Sequence, residues 1–143
     1  MWPFSFLEKA FMGRLIAFIA VRSNYLSRED KMKNSLKKNK DFLHVYNEGK
    51  SKANKYLVMY VLKNGLDKNR LGISVSKKVG NSVVRHHLCR LIRESYRLNS
   101  DMFNSGLDIV IVARNSAKDK SYREIESALL HLSRLHCICN DEE

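Results

Sequence analysis

Residues 107–114 read LDIVIVAR, a nearly continuous β-branched run of the kind a central strand carries. The segments on either side have helical periods. In NSVVRHHLCRLIRESYRL, residues 81–98, a turn of about 100° per residue sets Val84, Leu88, Leu91, Ile92, Ser95 and Leu98 on one side. The same turn puts His86, Arg90, Arg93 and Arg97 on another, so the helix has a core face and a cationic face. After the strand, SYREIESALLHLSRL opens on a capping box, Ser121 with Glu124, and carries an apolar stripe of Ile125, Ala128, Leu129, Leu132 and Leu135.

Upstream, Asn39 is a candidate N-cap for a helix running to Glu48, with Phe42, Val45 and Tyr46 on its apolar face and Gly49 placed to end it. KYLVMYVL, residues 55–62, is aromatic and β-branched and reads as a strand. KNGLDKN supplies turn chemistry, and RLGISVS, residues 70–76, alternates Leu71, Ile73 and Val75 against smaller or polar residues. The two strands are expected to pair as an antiparallel hairpin. The predicted fold class is therefore α+β, a small sandwich with helices on one face of the sheet.

With 143 residues the chain has room for one domain and its tails. A net charge of +11 makes a polyanion the first partner to consider and an anionic membrane the second. Three cysteines, Cys89, Cys137 and Cys139, fit a reducing cytoplasm better than a disulfide framework. Residues 1–31 hold an apolar run broken by Arg14, too short to span a bilayer and lacking the basic front of a signal peptide. They are read as an extension whose presence in the mature protein is open, ahead of a domain over 32–136 and a tail over 137–143. No stable membrane association is expected.

The chemistry-bearing residues converge on one motif. Lys77 and Lys78 leave a strand beside Gly80, where the backbone can approach a phosphate, and Asn81 can cap the helix whose positive end follows. His86, Arg90, Arg93 and Arg97 form a ladder of about 5–6 Å per step, with Arg85 flanking it, suited to forked contacts with an RNA backbone. HHLC at 86–89 and HLSRLHCIC at 131–139 lack zinc-ligand spacing, so no metal site is assigned. Asp41, Glu48, Asp67, Glu94, Asp101 and Asp108 are too scattered for a protein nuclease, and no catalytic residue is assigned either. Glu94 is read as an intrahelical partner of Arg90 or Arg97.

The run RLGISVSKKVGNSVVRHHLCRLIRESYR resembles the signature of the protein subunit of bacterial ribonuclease P: Ser-Lys-Lys, Gly-Asn, then Arg-Asn-Arg and Lys-Arg on one helix. The resemblance extends in order and spacing from about Leu36 to Leu135. It implies an α-β-β-β-α-β-α sandwich with a left-handed βαβ crossover, which the general handedness rule does not predict. It also implies a function. The subunit binds the catalytic RNase P RNA, here through Lys77, Lys78, Gly80, Asn81, Arg85, His86, His87, Arg90, Arg93 and Arg97, with one protein for each RNA. It holds the 5′ leader of precursor tRNA in a cleft between the first helix and the sheet, which by position assigns Phe42, Tyr46, Lys50, Lys55 and Tyr60 to the leader. The RNA and its Mg²⁺ cleave the leader; the protein binds no cofactor and is inactive alone. His86, His87 and Cys89 depart from the usual Asn, Arg and Lys, which removes cationic charge from the motif. A non-enzymatic ribosomal or chaperone-like RNA-binding protein of the same fold is the alternative.

Overall fold

The computed structural model describes residues 35–139. The expected extension over 1–31 lies outside them, as do the last residues of the expected tail. In chain order the elements are α1 (Asn39–Glu48), β1 (Lys50–Ala53), β2 (Leu57–Lys63), β3 (Arg70–Val75), α2 (Ser82–Asn99), β4 (Leu107–Ala113) and α3 (Tyr122–Leu135). Short 3₁₀ turns at Ser100–Met102 and Asn115–Ala117 follow α2 and β4. The α-β-β-β-α-β-α order is the one the resemblance implies.

The four strands lie in the order β1-β2-β4-β3. β4 is central, as its β-branched run predicts, and all seven of its residues are buried. β2 runs antiparallel to β1 and to β4, while β3 runs parallel to β4. The expected β2–β3 hairpin is therefore not formed, because β4 sits between the two strands. Alternation alone marks a strand without naming its neighbour. Here the run with the most apolar surface to hide takes the inner place, and β3 reaches it in parallel through α2.

Both sheet faces are covered, which corrects the expectation of helices on one face only. Leu57, Met59, Ile109 and Ile111 meet Leu88, Ile92 and Tyr96 of α2 and Ile125, Leu129 and Leu132 of α3 in the main core. Val58, Tyr60, Val110 and Val112, of opposite parity on the same strands, meet Leu36 and the Phe42, Val45 and Tyr46 stripe of α1. Gly72 makes room for that helix: a Cβ there would lie 2.7 Å from two ring carbons of Phe42. α1 begins at Asn39 itself, with Lys38 at the cap position and no side-chain cap. Asn39 is thus the first helical residue rather than the cap.

Candidate nucleic-acid interface

β3 ends at Val75, and the Ser76–Gly80 turn that follows is built to hold two lysines outward. The Lys78 amide donates to Ser76 Oγ (3.2 Å), and the Val79 amide donates to the Ser76 carbonyl (3.1 Å). Val79 is buried in the main core and anchors the turn, while Lys77 and Lys78 are exposed. Gly80 also answers a packing need: a Cβ there would sit 2.9 Å from Val84 Cβ and Cγ1. Asn81 caps α2 as predicted, its side-chain oxygen accepting from the Val84 amide at 3.0 Å. With no acid in the first turn, the positive end of the helix adds to the lysines.

Along α2, His86, His87, Arg90 and Arg97 are exposed and Arg93 is half-buried. His86, Arg90, Arg93 and Arg97 share one stripe beside the buried one, so the ladder stands where the helical period puts it. Arg97 donates to both carboxylate oxygens of Glu94, through Nε to Oε2 at 3.2 Å and Nη2 to Oε1. That hydrogen bonding holds the Glu94 carboxyl below its ordinary range. Arg85 differs from its neighbours. It lies on the helical stripe of Cys89, Ile92 and Tyr96, is half-buried, and its Nε is shut from solvent without a hydrogen-bond partner. It leans toward the core rather than flanking the ladder.

The buried side of α2 centres on Leu88, Cys89, Ile92, Ser95 and Tyr96. Leu98, expected there, is 60% exposed because it lies at the far edge of that arc. Tyr96 was not part of the predicted stripe; its ring stacks on Phe103 with centroids 5.3 Å apart and planes 10° from parallel. The three-and-four spacing of Cys89, Ile92 and Tyr96 is the signal that marks it. Cys89 packs in the core, and burial pushes its thiol up to about 11 against the pull of the Arg93 and Arg85 cations.

The five residues assigned by position to a leader are not brought together. Phe42 and Tyr46 are each 3% exposed and Tyr60 is 1% exposed, all inside the second core. Tyr46 meets Tyr60 edge-on at 4.8 Å, and Phe42 lies 6.4 Å from Tyr46. These rings fasten α1 to the sheet, so none offers an open face to a base. Lys50 pairs with Val61 in the β1–β2 register, which assigns it to the face opposite α1. Lys55 stands in the β1–β2 turn, its Nζ 5.6 Å from the Tyr56 ring centroid. Both lysines are exposed.

The family model described as Ribonuclease P matches residues 31–136, the whole stretch that carries these elements. The chain belongs to the ribonuclease P protein family. It is 67% identical over 112 residues to the ribonuclease P protein component of Lachnoclostridium phytofermentans, covering 78% of this chain and 97% of that one. A Clostridium botulinum ribonuclease P protein component is 57% identical over 108 residues, with 75% and 97% covered. Among solved structures, the RNase P protein of Staphylococcus aureus aligns with a TM-score of 0.69 at 39% identity, over 74% of this chain and 97% of that chain. The RNase P protein from Thermotoga maritima aligns at 0.65 and 37%, over 71% and 96%.

Membership in the ribonuclease P family raises the question of Mg²⁺, and the carboxylates of the described residues are not gathered into a site for it. Asp108 is held by Arg70 and Glu94 by Arg97, so each is already matched with a guanidinium. Among the described residues no three His, Cys, Asp or Glu side chains gather into a metal-binding group. Nor, among them, is any helix long and apolar enough to cross a membrane.

Proposed function

We propose that this chain, as a ribonuclease P protein component, docks on the catalytic RNA through the outer face of α2 and the Ser76–Gly80 turn and promotes Mg²⁺-dependent removal of the 5′ leader from precursor tRNA. The observation that carries the reading is the exposed Arg90 and Arg97, with His86 and half-buried Arg93, on one stripe of a helix whose other side is locked into the core. Guanidinium groups at successive turns match phosphates along a folded RNA, and Lys77, Lys78 and the capped helix end extend the same cationic surface. His87 borders the stripe. Asn81 and Gly80 serve by holding turn and helix in one geometry.

In this reading the catalytic RNA holds the Mg²⁺ and performs the hydrolysis, and the protein contributes binding. The buried Phe42, Tyr46 and Tyr60 serve leader binding by seating α1 on the sheet. Salt dependence of binding tests the docking face. Neutralising about five phosphates gives a log-log slope near −4 to −5 if the RNA behaves as a duplex. An Arg90→Ala change is expected to make the slope shallower by about one. An unchanged slope and affinity would remove Arg90 from the interface.

A further inference from the structure

A groove on another flank of α3 carries cationic and aromatic groups that the α2 interface does not use. Asn54 builds it. Its Oδ1 accepts from the Tyr56 and Leu57 amides (3.1 and 3.0 Å), and its Nδ2 donates to the Ala128 carbonyl (2.9 Å), tying the β1–β2 turn to α3. A cavity of about 550 Å³ lies between the two elements, with Tyr56, Ala128 and Arg123 among its lining residues. The half-exposed Tyr56 ring has Lys55 Nζ 5.6 Å and Lys120 Nζ 5.5 Å from its centroid. Arg123, Ser127 and His131 follow one another at intervals of four along α3, all exposed. The single acid in the lining, Glu124, is engaged with the Ser121 amide and hydroxyl in the capping box, which also closes that helix end to outside anions.

We propose that this groove seats one unpaired nucleotide of the 5′ leader, with its base against Tyr56 and the adjoining phosphates at Lys55, Lys120 and Arg123. The inference rests on the reading that the chain binds the leader. An aromatic ring with two ammonium groups close to it suits a splayed nucleotide and not a duplex, whose bases are stacked on one another. A base that displaces one ammonium from the ring leaves that ammonium beside the phosphate. The catalytic RNA is the less fitting occupant for a geometric reason. α3 meets α2 through Glu126, which accepts from Asn99 Nδ2 at 2.9 Å, whereas the Arg123, Ser127 and His131 stripe is centred about 100° away. A body gripped along the outer face of α2 lies off this groove, and a flexible single strand can reach it.

The test is equilibrium binding by the reconstituted RNA–protein complex of mature tRNA and of precursor tRNAs whose leaders are graded from about two to about twelve nucleotides. The Lys120→Glu/Arg123→Glu double variant is expected to weaken binding of the long-leader substrates by about tenfold and to leave mature tRNA unchanged. Ser127→Trp, which fills the groove without altering charge, is expected to reproduce the pattern. Equal losses at every leader length, mature tRNA included, would overturn the leader assignment and point to the catalytic RNA or to lost folding. Unchanged binding in both variants would overturn the groove itself. Should the unaltered complex gain nothing from a longer leader, the leader-binding reading fails first and takes this inference with it.

Discussion

Arg70 grips both oxygens of Asp108, Nε to Oδ1 at 2.7 Å and Nη2 to Oδ2 at 2.6 Å, across the parallel β3–β4 pair in which the two residues are register partners. Asn64 adds a third donor to Oδ1 at 3.0 Å. Asp108 is 2% exposed, so its charge depends on these partners, and its hydrogen bond is the main reason the Arg70 guanidinium is held further toward its charged form. The pair fixes the start of the strand whose far end presents Lys77 and Lys78. Removing one partner of a buried ion pair costs about 3–5 kcal/mol, and the partial exposure of Arg70 favours the lower end. Asp108→Ala is therefore expected to lower the unfolding free energy by about 3 kcal/mol in urea titrations. A loss under about 1 kcal/mol would show that the pair does not hold the register.

The three rings between α1 and the sheet separate packing from base stacking. Phe42→Ala should cost about 3–5 kcal/mol of stability, as truncation of a buried aromatic does. Tyr46→Phe should cost at most about 1 kcal/mol, because Tyr46 Oη is buried and its polar neighbour, the Ser74 hydroxyl, engages it only weakly. Burial is also the main cause that raises the Tyr46 phenol well above its ordinary range, with Tyr60 adding to it and the Ser74 hydroxyl opposing. Thermal unfolding of both variants checks the pair of expectations. A Phe42→Ala protein of unchanged stability that has lost only leader affinity would contradict the core assignment.

The cysteines should differ sharply toward a thiol reagent. Cys89 is buried and its thiol is pushed up to about 11, so near pH 8 it offers almost no thiolate and no path of attack. Cys137 is exposed. Brief alkylation of the native protein followed by mass spectrometry should modify Cys137 and spare Cys89, with Cys89 reacting only after denaturation. Rapid native labelling at Cys89 would mean that α2 opens locally.

His136 gives the fold a pH dependence of definite sign. Its Nε2–H donates to the Met59 carbonyl at 2.9 Å, joining the end of α3 to β2. Burial is the leading cause that lowers its pKa from 6.5; the Met59 hydrogen bond opposes this, and Lys52 and Lys50 reinforce it. A histidine depressed in the folded state stabilises fully above its unfolded pKa and loses that contribution as pH falls through the folded value. Stability should therefore decline below about pH 6.5, by at most about 1.4 kcal/mol per pH unit from this one group. Urea titrations from pH 7.5 downward, compared with His136→Gln, isolate the effect; identical pH profiles would exclude it.

How far these features are legible in the sequence depends on what periodicity encodes. It placed α2, α3 and the central β4, because each combines a long repeat with a strong cap or a β-branched run. It could not choose strand neighbours, so β2 and β3 read as a hairpin until β4 came between them. The apolar stripe of α1 announces a buried side without saying which sheet face receives it. Within the site, the ladder of His86, Arg90, Arg93 and Arg97 follows from helical geometry alone. Arg85 is one residue from that ladder yet turned toward the core, and Lys50 and Lys55 depend on a short polar edge strand and a turn that leave little pattern.

A reconstitution at low Mg²⁺ asks whether this chain lets a catalytic RNA trim precursor tRNA. Precursor tRNA is incubated with a bacterial ribonuclease P RNA, with and without the full chain, and with the chain alone. The chain's role as the protein component requires cleavage at the mature 5′ end only when RNA and protein are both present, and a weakened rescue by Arg90→Ala that lower salt restores. Tight binding of the RNA with no rescue of cleavage would contradict it and leave α2 as a general phosphate-gripping surface.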